Sequence, residues 1–301
     1  MSLEVKRFKF MRLIGYVIFL FCIRMHAYEV HTAGCILVGA DNDSVIINYL
    51  VRDIDSSAPR FETFFGEKLS GVPVIILIPE SGKEYDKITQ HVLPDWSQGV
   101  TVTRQRRIIL RPANYFNPDR FREILLHELA HIYLAQIIHP VRVPLWFNEG
   151  VAMYMSDKTV SWEDGIAIGN AIVSNHFIDF QDIDSLLNFG ETKARLAYLQ
   201  SFLAIRHLTN VNGPEVVQKI LRSVATNESF NDVFMQKTGQ DLIDFEYDVY
   251  QEINKDYRWM SFLQFDNIFW IIMVLLVISV FFVIKLRNRN KIKVWDLVEE
   301  E

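Results

Sequence analysis

Cysteine is almost missing from this sequence: its 301 residues include two, Cys22 and Cys35. Cys22 falls inside an N-terminal apolar run that reads as a signal peptide, so a processed chain would keep one thiol and could form no intrachain disulfide. Cys35 is then most simply a small core residue. Excess positive charge is missing too. The net charge is −6, and since residues 1–27 carry +4 and residues 285–301 carry +1, the stretch between carries −11. Such an acidic body lacks the electrostatic footprint of a nucleic-acid-binding domain. No internal repeat or low-complexity segment occurs, and the length allows one large domain or two small ones with ample core.

Histidine is scarce as well, with eight in the chain, which makes the arrangement of two of them informative. His127-Glu128-Leu129-Ala130-His131 has the form H-E-x-x-H, whose chance occurrence here has odds on the order of one in a hundred. Asn117 is a good N-cap, Pro118 suits the first helical position and Pro140 follows the last apolar turn, so the spacing predicts a helix over about 118–138. Residues four apart on a helix share a face, so both imidazoles can grip one metal ion. Glu128 sits on the adjoining edge, where it can take a proton from a water activated by that metal without being a ligand. Phe121, Ile124, Leu125, Leu129, Ile132, Leu134, Ile137 and Ile138 cover most of the helix circumference and predict a buried element. Buried histidines and a buried glutamate need partners, and a zinc ion supplies one to all three.

A zinc hydrolase site needs a third protein ligand. A metzincin would place glycine at 134 and histidine at 137, but these positions hold Leu134 and Ile137. His139 is a further turn along and points off the metal face. Glu149, eighteen positions after His131, is the better candidate. It lies in Trp146-Phe147-Asn148-Glu149-Gly150-Val151-Ala152, which follows Pro144 and reads as a second helix. With this segment the chain resembles the gluzincin metallopeptidases, in the peptidase MA-like branch related to aminopeptidase N, where W-x-N-E-G-x-A supplies the glutamate ligand. The spacing is one residue shorter than is usual in aminopeptidases. The resemblance implies one zinc ion held by His127, His131 and Glu149.

The ends of the chain suggest a membrane protein. Lys6, Arg7, Lys9 and Arg12 precede an apolar run over about Leu13 to Ile23, with small Ala27 beyond it, the pattern of a secretory signal peptide over 1–27. Met25, three before the expected cut, is a poor cleavage residue, so an uncleaved signal anchor is the alternative. Thr32-Ala33-Gly34-Cys35 lacks the aliphatic residue of a lipoprotein box and lies too far from the hydrophobic run. Near the other end, Ile268 to Ile284 are seventeen residues without a charge, extensible backward through Phe262, Leu263 and Phe265, and predict a transmembrane helix over 266–284. Lys285, Arg287, Arg289, Lys291 and Lys293 follow it, against Lys255 and Arg258 before it, which predicts a cytoplasmic tail at 285–301 and an extracytoplasmic body.

Between these ends the pattern predicts an α+β chain. Glu29 to Val38 reads as a first strand, Ser44 to Phe65 as an amphipathic helix carrying Val45, Ile46, Leu50, Ile54 and Phe61, and Pro73 to Pro79 as a buried strand. Gly99–Thr103 and Arg106–Arg111 read as a hairpin, whose arginines at 104, 106, 107 and 111 either meet an acidic substrate or cover a solvated tip. Helical periodicity follows in Leu196–Leu208, Glu215–Val224, Ser229–Lys237 and Leu242–Ile253, with breaks at Gly190, Gly213 and Gly239. Ala197-Tyr198-Leu199-Gln200-Ser201 is similar to the A-Y-x-Q-S helix of peptidase MA-like proteins, and the turn at Gly239-Gln240-Asp241-Leu242 before Phe245-Glu246 also fits. The resemblance thus covers most of residues 28–260 as one catalytic domain, a mixed sheet followed by the zinc helix and a mainly helical lobe.

The function so implied is zinc-dependent hydrolysis of peptide bonds, with Glu128 as base and then acid. Tyr198 matches by order the tyrosine that in related aminopeptidases steadies the oxyanion, with Tyr154 the alternative donor and His207 or a backbone amide behind them. Gly99 to Thr103 could pair with an extended peptide as an added strand. The G-x-M-E-N segment that holds a substrate amino terminus in aminopeptidase N is absent upstream of the zinc helix, which favours an endopeptidase. Two rivals remain at this level: a membrane-tethered binding protein on a peptidase scaffold, and a zinc hydrolase of a non-peptide amide.

Overall fold

The computed structural model describes residues 27–32, 34–90, 93–94, 96–112, 117–226, 228–263 and 265–299. The expected signal peptide therefore lies, but for Ala27, outside the described residues. Two compact units form. One takes the chain through Thr159 and again from Ile178 to Val249, and the other takes Val160–Phe177 with the segment from Tyr250 onward.

The larger unit begins with five strands, β1 Ala27–Thr32, β2 Cys35–Ala40, β3 Val74–Leu77, β4 Gly99–Val102 and β5 Arg107–Leu110, in the sheet order β1-β2-β3-β5-β4. The single strand expected over Glu29 to Val38 is instead a hairpin. The chain reverses at Gly34, whose φ of +84° is a conformation that residues with a Cβ rarely adopt, and Thr32 pairs with Cys35 across the turn. The sheet is mixed: β2, β3 and β5 run parallel, with Leu37 beside Ile76 and Ile76 beside Ile108, while β1 and β4 pair antiparallel at the two edges.

Helix α1, Ser44–Phe65, connects β2 to β3. Ile47, Leu50, Ile54, Phe61 and Phe65 recur every three, four or seven residues and are buried, whereas Val45, expected on that face, is 81% exposed. Gly66 ends the helix in the left-handed region, its N–H donating to the Glu62 carbonyl at 2.8 Å. A short helix not foreseen from the sequence, α2 Gly82–Ile88, follows β3, capped by the Ser81 hydroxyl. Helix α3, Pro118–Ile138, has the bounds that its caps predict, with the Asn117 side chain accepting from the Arg120 N–H at 2.7 Å. It packs against α1, β4 and β5, and its Tyr133 ring stacks on Phe65 at 5.1 Å. Ile137, expected in the core, is only part-buried.

The chain then forms α4 Leu145–Met155 and, after the second unit's insertion, α6 Glu191–Asn212, α7 Val216–Val224, α8 Phe230–Thr238 and α9, which begins at Leu242 and ends at Tyr257. Trp146 of α4 is buried among Phe147, Phe180, Phe230, Phe234 and Phe245, with Phe180 stacked on it at 4.5 Å. One turn further along, α4 lies against α6 at Gly150, where a Cβ would stand 2.3 Å from the Ser201 carbonyl oxygen. Only glycine permits this approach. Gln200 is fully buried and ties α6 to the loop before it, donating to the Ile178 carbonyl at 2.9 Å and accepting from its N–H at 3.2 Å.

In the second unit, α5 Trp162–Val173 starts with a capping box, Ser161 and Asp164 each bonding the other's backbone N–H. It packs on the turn at Arg258–Leu263. Helix α10 runs from Phe265 to Glu299, continuing past Ile284 where a separate tail was expected. Its stretch Phe269–Asn288 is exposed along its length and, at 20 residues or about 30 Å, is long and apolar enough to cross a membrane.

Candidate metal centre

Helices α3 and α4 bring three side chains of the larger unit to one point. The Nε2 atoms of His127 and His131 are 3.2 Å apart, and Glu149 Oε2 lies 3.3 Å from the first and 3.5 Å from the second. Bonds of about 2.0–2.1 Å to a tetrahedral zinc would set its ligand atoms about 3.3 Å apart. The donor set also suits the ion: two imidazoles and one carboxylate, each only 13–15% exposed. Glu149 Oε2 is buried without a hydrogen-bond partner among the described residues, as expected of an atom whose partner is a metal. These residues therefore fit a zinc ion, and H-E-x-x-H with Glu149 forms a gluzincin-type binding set.

The electrostatics point the same way. Burial disfavours the charged form of His131, but the adjacent Glu149 carboxylate outweighs it and lifts the pKa to about 9. For Glu149 burial alone would raise the pKa, and the two imidazoles instead hold it well below the usual carboxylate range. An ionised carboxylate facing two imidazoles is a place where positive charge is stabilised, by protons or in their place by a divalent cation.

Neighbours orient this set. Asn148 Oδ1 lies 2.8 Å from His131 Nδ1 and can accept its proton, which leaves the Nε2 lone pair facing the ligand point. Asp184 caps the start of α4, its Oδ1 accepting from the Leu145 N–H at 3.0 Å. Glu128 is not in the cluster. Its carboxylate Oε2 accepts from the Thr101 hydroxyl of β4 at 2.6 Å, and a Cβ at Gly99 would meet its Cγ and Oε1 at 3.1 Å. The edge strand thus presses on Glu128 and holds it 7% exposed. The sequence did not assign these roles to Asn148, Thr101 or Asp184. Asn148 alone carried a signal, its place beside Glu149 in the second motif.

All four motif residues open onto a cavity of about 530 Å³, which Tyr198 also lines. The Tyr198 ring stands edge-on to His127 at 6.1 Å and to Trp96 at 6.2 Å. Burial, and then the charges of Glu149 and Glu128, push its hydroxyl well above its ordinary pKa of 10, so it keeps its proton and can donate. Tyr154, the other candidate, lies outside this lining, its ring against Phe64 of α1 at 5.6 Å. His207 packs on Phe245. His139 is exposed at the C-cap of α3; it lines the cavity but is no member of the metal cluster.

The four hairpin arginines have separate fates. Arg106 donates to the Val72 carbonyl at 2.8 Å, Arg111 donates to the Ser97 carbonyl and lies over the Tyr85 ring, and Arg107 belongs to β5. Arg104 alone lines the cavity.

Residues 64–255, more than half of the chain, match the Peptidase MA superfamily. An uncharacterised protein of Bacillus subtilis (strain 168), YhcO, is 23% identical over 144 residues, which cover 45% of this chain and 42% of that protein. Among solved structures, native yeast LTA4 hydrolase has a TM-score of 0.43 and 12% identity, covering 80% of this chain and 38% of that one. Yeast LTA4 hydrolase in complex with bestatin has a TM-score of 0.42 and 15% identity, covering 78% and 38%. The chain thus spans less than half the length of each of these relatives. On a match over most of its length, and with His127, His131 and Glu149 gathered at one point, this chain belongs to the Peptidase MA superfamily.

Proposed function

We propose that this protein is a membrane-anchored zinc peptidase that hydrolyses peptide bonds outside the cytoplasm. The observation that carries this reading is the division of labour at the centre: three side chains converge on a ligand point, while the Glu128 carboxylate is held out of the cluster, beside the cavity. A site that used zinc only for structure would not need that fourth group, which argues against a binding protein on an inactive scaffold.

Zinc bound by His127, His131 and Glu149 would activate a water and polarise the substrate carbonyl. Glu128 then takes the proton of the attacking water and delivers it to the leaving amine. The Thr101 hydroxyl holds one carboxylate oxygen, which leaves the other for this proton. Tyr198 donates to the oxygen on which negative charge develops. Endopeptidase action rests on the sequence alone, through the absent G-x-M-E-N segment.

In the proposed organisation, residues 1–27 are a signal peptide, 28–260 the catalytic domain, 266–284 the membrane span and 285–301 a cytoplasmic tail. The basic residues after Ile284 support this orientation. Protease treatment of intact cells should cut a tag placed before residue 30 of the processed chain and spare one at the C-terminus, and the opposite pattern would reverse the topology.

The central test is Glu128→Gln in the full-length protein in detergent. One zinc per chain should remain, because Glu128 is no ligand, while cleavage of a mixed peptide library should fall by about 10²- to 10⁴-fold. Undiminished turnover in zinc-matched samples would rule out this mechanism.

A further inference from the structure

The charge lining the cavity is segregated along its length. Its acidic residues are Glu149, in the metal cluster, and Glu128, held by Thr101 beside it, and the other ionic groups on its wall are Arg104 and Arg142. Both arginines are exposed, and neither makes a hydrogen bond or ion pair among the described residues. Other arginines of this unit are engaged: Arg60 and Arg122 with Asp157, Arg106 with Val72, Arg120 with Glu123. Two unpaired guanidiniums on one cavity wall, in a domain whose sequence is strongly acidic, form a local positive field that the rest of the molecule opposes.

Their place in the fold puts both at the same end. Arg104 lies in the turn Thr103–Gln105 between β4 and β5, three residues beyond the Thr101 that holds Glu128. That turn packs on the C-terminal half of α3, where Arg106 Nη1 lies 3.4 Å from Gln136 Oε1. Arg142 lies in the segment between α3 and α4, and Ile138, His139 and Val141 beside it share the lining. From His131 to His139 the helix axis advances about 12 Å, so the basic end stands on the order of 10 Å from the metal ligands. An extended peptide covers that distance in about three residues.

We propose that Arg104 and Arg142 form a subsite for a carboxylate on the substrate, selecting peptides that carry Asp or Glu two to three residues from the scissile bond. The inference rests on the peptidase reading for the nature of the substrate. Guanidinium forks match carboxylates in bidentate geometry, so the subsite favours carboxylate over the isosteric amide.

The test uses full-length, zinc-loaded Glu128→Gln in detergent, which binds without turnover. The probes are two fluorescent decapeptide pools with amidated C-termini, identical except that Asp and Glu in one are Asn and Gln in the other. The acidic pool should bind about tenfold more tightly at low salt, the scale of two partly exposed charge pairs. Adding Arg104→Gln and Arg142→Gln should bring the two pools to the same affinity, with zinc content retained as the control for folding. Equal binding of the pools before those substitutions, a preference that survives them, or no binding of either pool would each overturn the subsite. An acidic preference that the arginine substitutions abolish, together with no cleavage of either pool by the unsubstituted protein, would sink the peptidase reading and leave the subsite standing.

Discussion

At one end of the cavity His127, His131 and Glu149 stand 3.2–3.5 Å apart and 13–15% exposed, while at the other Arg104 and Arg142 are exposed and touch no partner among the described residues. The first end is held by its surroundings. Helix caps set the bounds of α3, Gly150 lets α6 come close, Asn148 turns one imidazole and Thr101 holds Glu128. The second end is held by little besides the turn and loop that carry it. Side chains that must stay within tenths of an ångström of one another to hold a metal sit where packing leaves no freedom, and the two arginines sit where side chains can adjust.

The largest effect that would test this contrast is expected at Tyr198. If its hydroxyl acts only on the developing oxyanion, Tyr198→Phe should lower kcat by about 10²- to 10³-fold with little change in KM. Tyr154→Phe should leave kcat near its starting value, because that ring packs on Phe64 away from the cavity. A large loss in Tyr154→Phe with a normal Tyr198→Phe would transfer the role. A smaller effect is expected at Asn148, which orients His131 without binding metal. Asn148→Ala should weaken zinc affinity by about 10- to 100-fold in competition with a chelator, while Glu149→Ala should lose zinc altogether. Equal affinities in Asn148→Ala and the unsubstituted chain would show that His131 keeps its orientation unaided. The smallest effect belongs to the basic end, where Arg104→Gln with Arg142→Gln should leave the melting temperature almost unmoved, since neither arginine pairs with anything that its loss would strand. A fall of several degrees would mean that the basic end is as embedded as the metal end.

Much of the centre was legible before the fold was known. His127, Glu128 and His131 lie on one helix whose caps are written in Asn117 and Pro118, so their geometry follows from a 3.6-residue period. Glu149 was found by a resemblance, because no periodicity links it to His131 across two helices and a loop. The stretch from Glu29 to Val38 reads as one strand because its apolar pattern runs on through a reversal that depends on the backbone angle at one glycine. The inward face of α1 at its start is hidden for a related reason: three consecutive residues, Val45 to Ile47, are apolar, and the sheet decides that Ile47 and not Val45 faces inward.

The sequence by itself determined the local elements that carry the chemistry: the α3 helix and its paired histidines, the Glu149 helix, and an apolar stretch near the C-terminus long enough to span a membrane. These depend on contacts within a few residues, where spacing and caps are sufficient. Tertiary structure decided which distant side chains meet: that Tyr198 and not Tyr154 lines the cavity, that Thr101 from the edge strand reaches Glu128, and that of four neighbouring arginines only Arg104 lines it, with Arg142. Such choices turn on register and helix contact, where a shift of one residue redirects a side chain to another face, and no short stretch of sequence contains both partners.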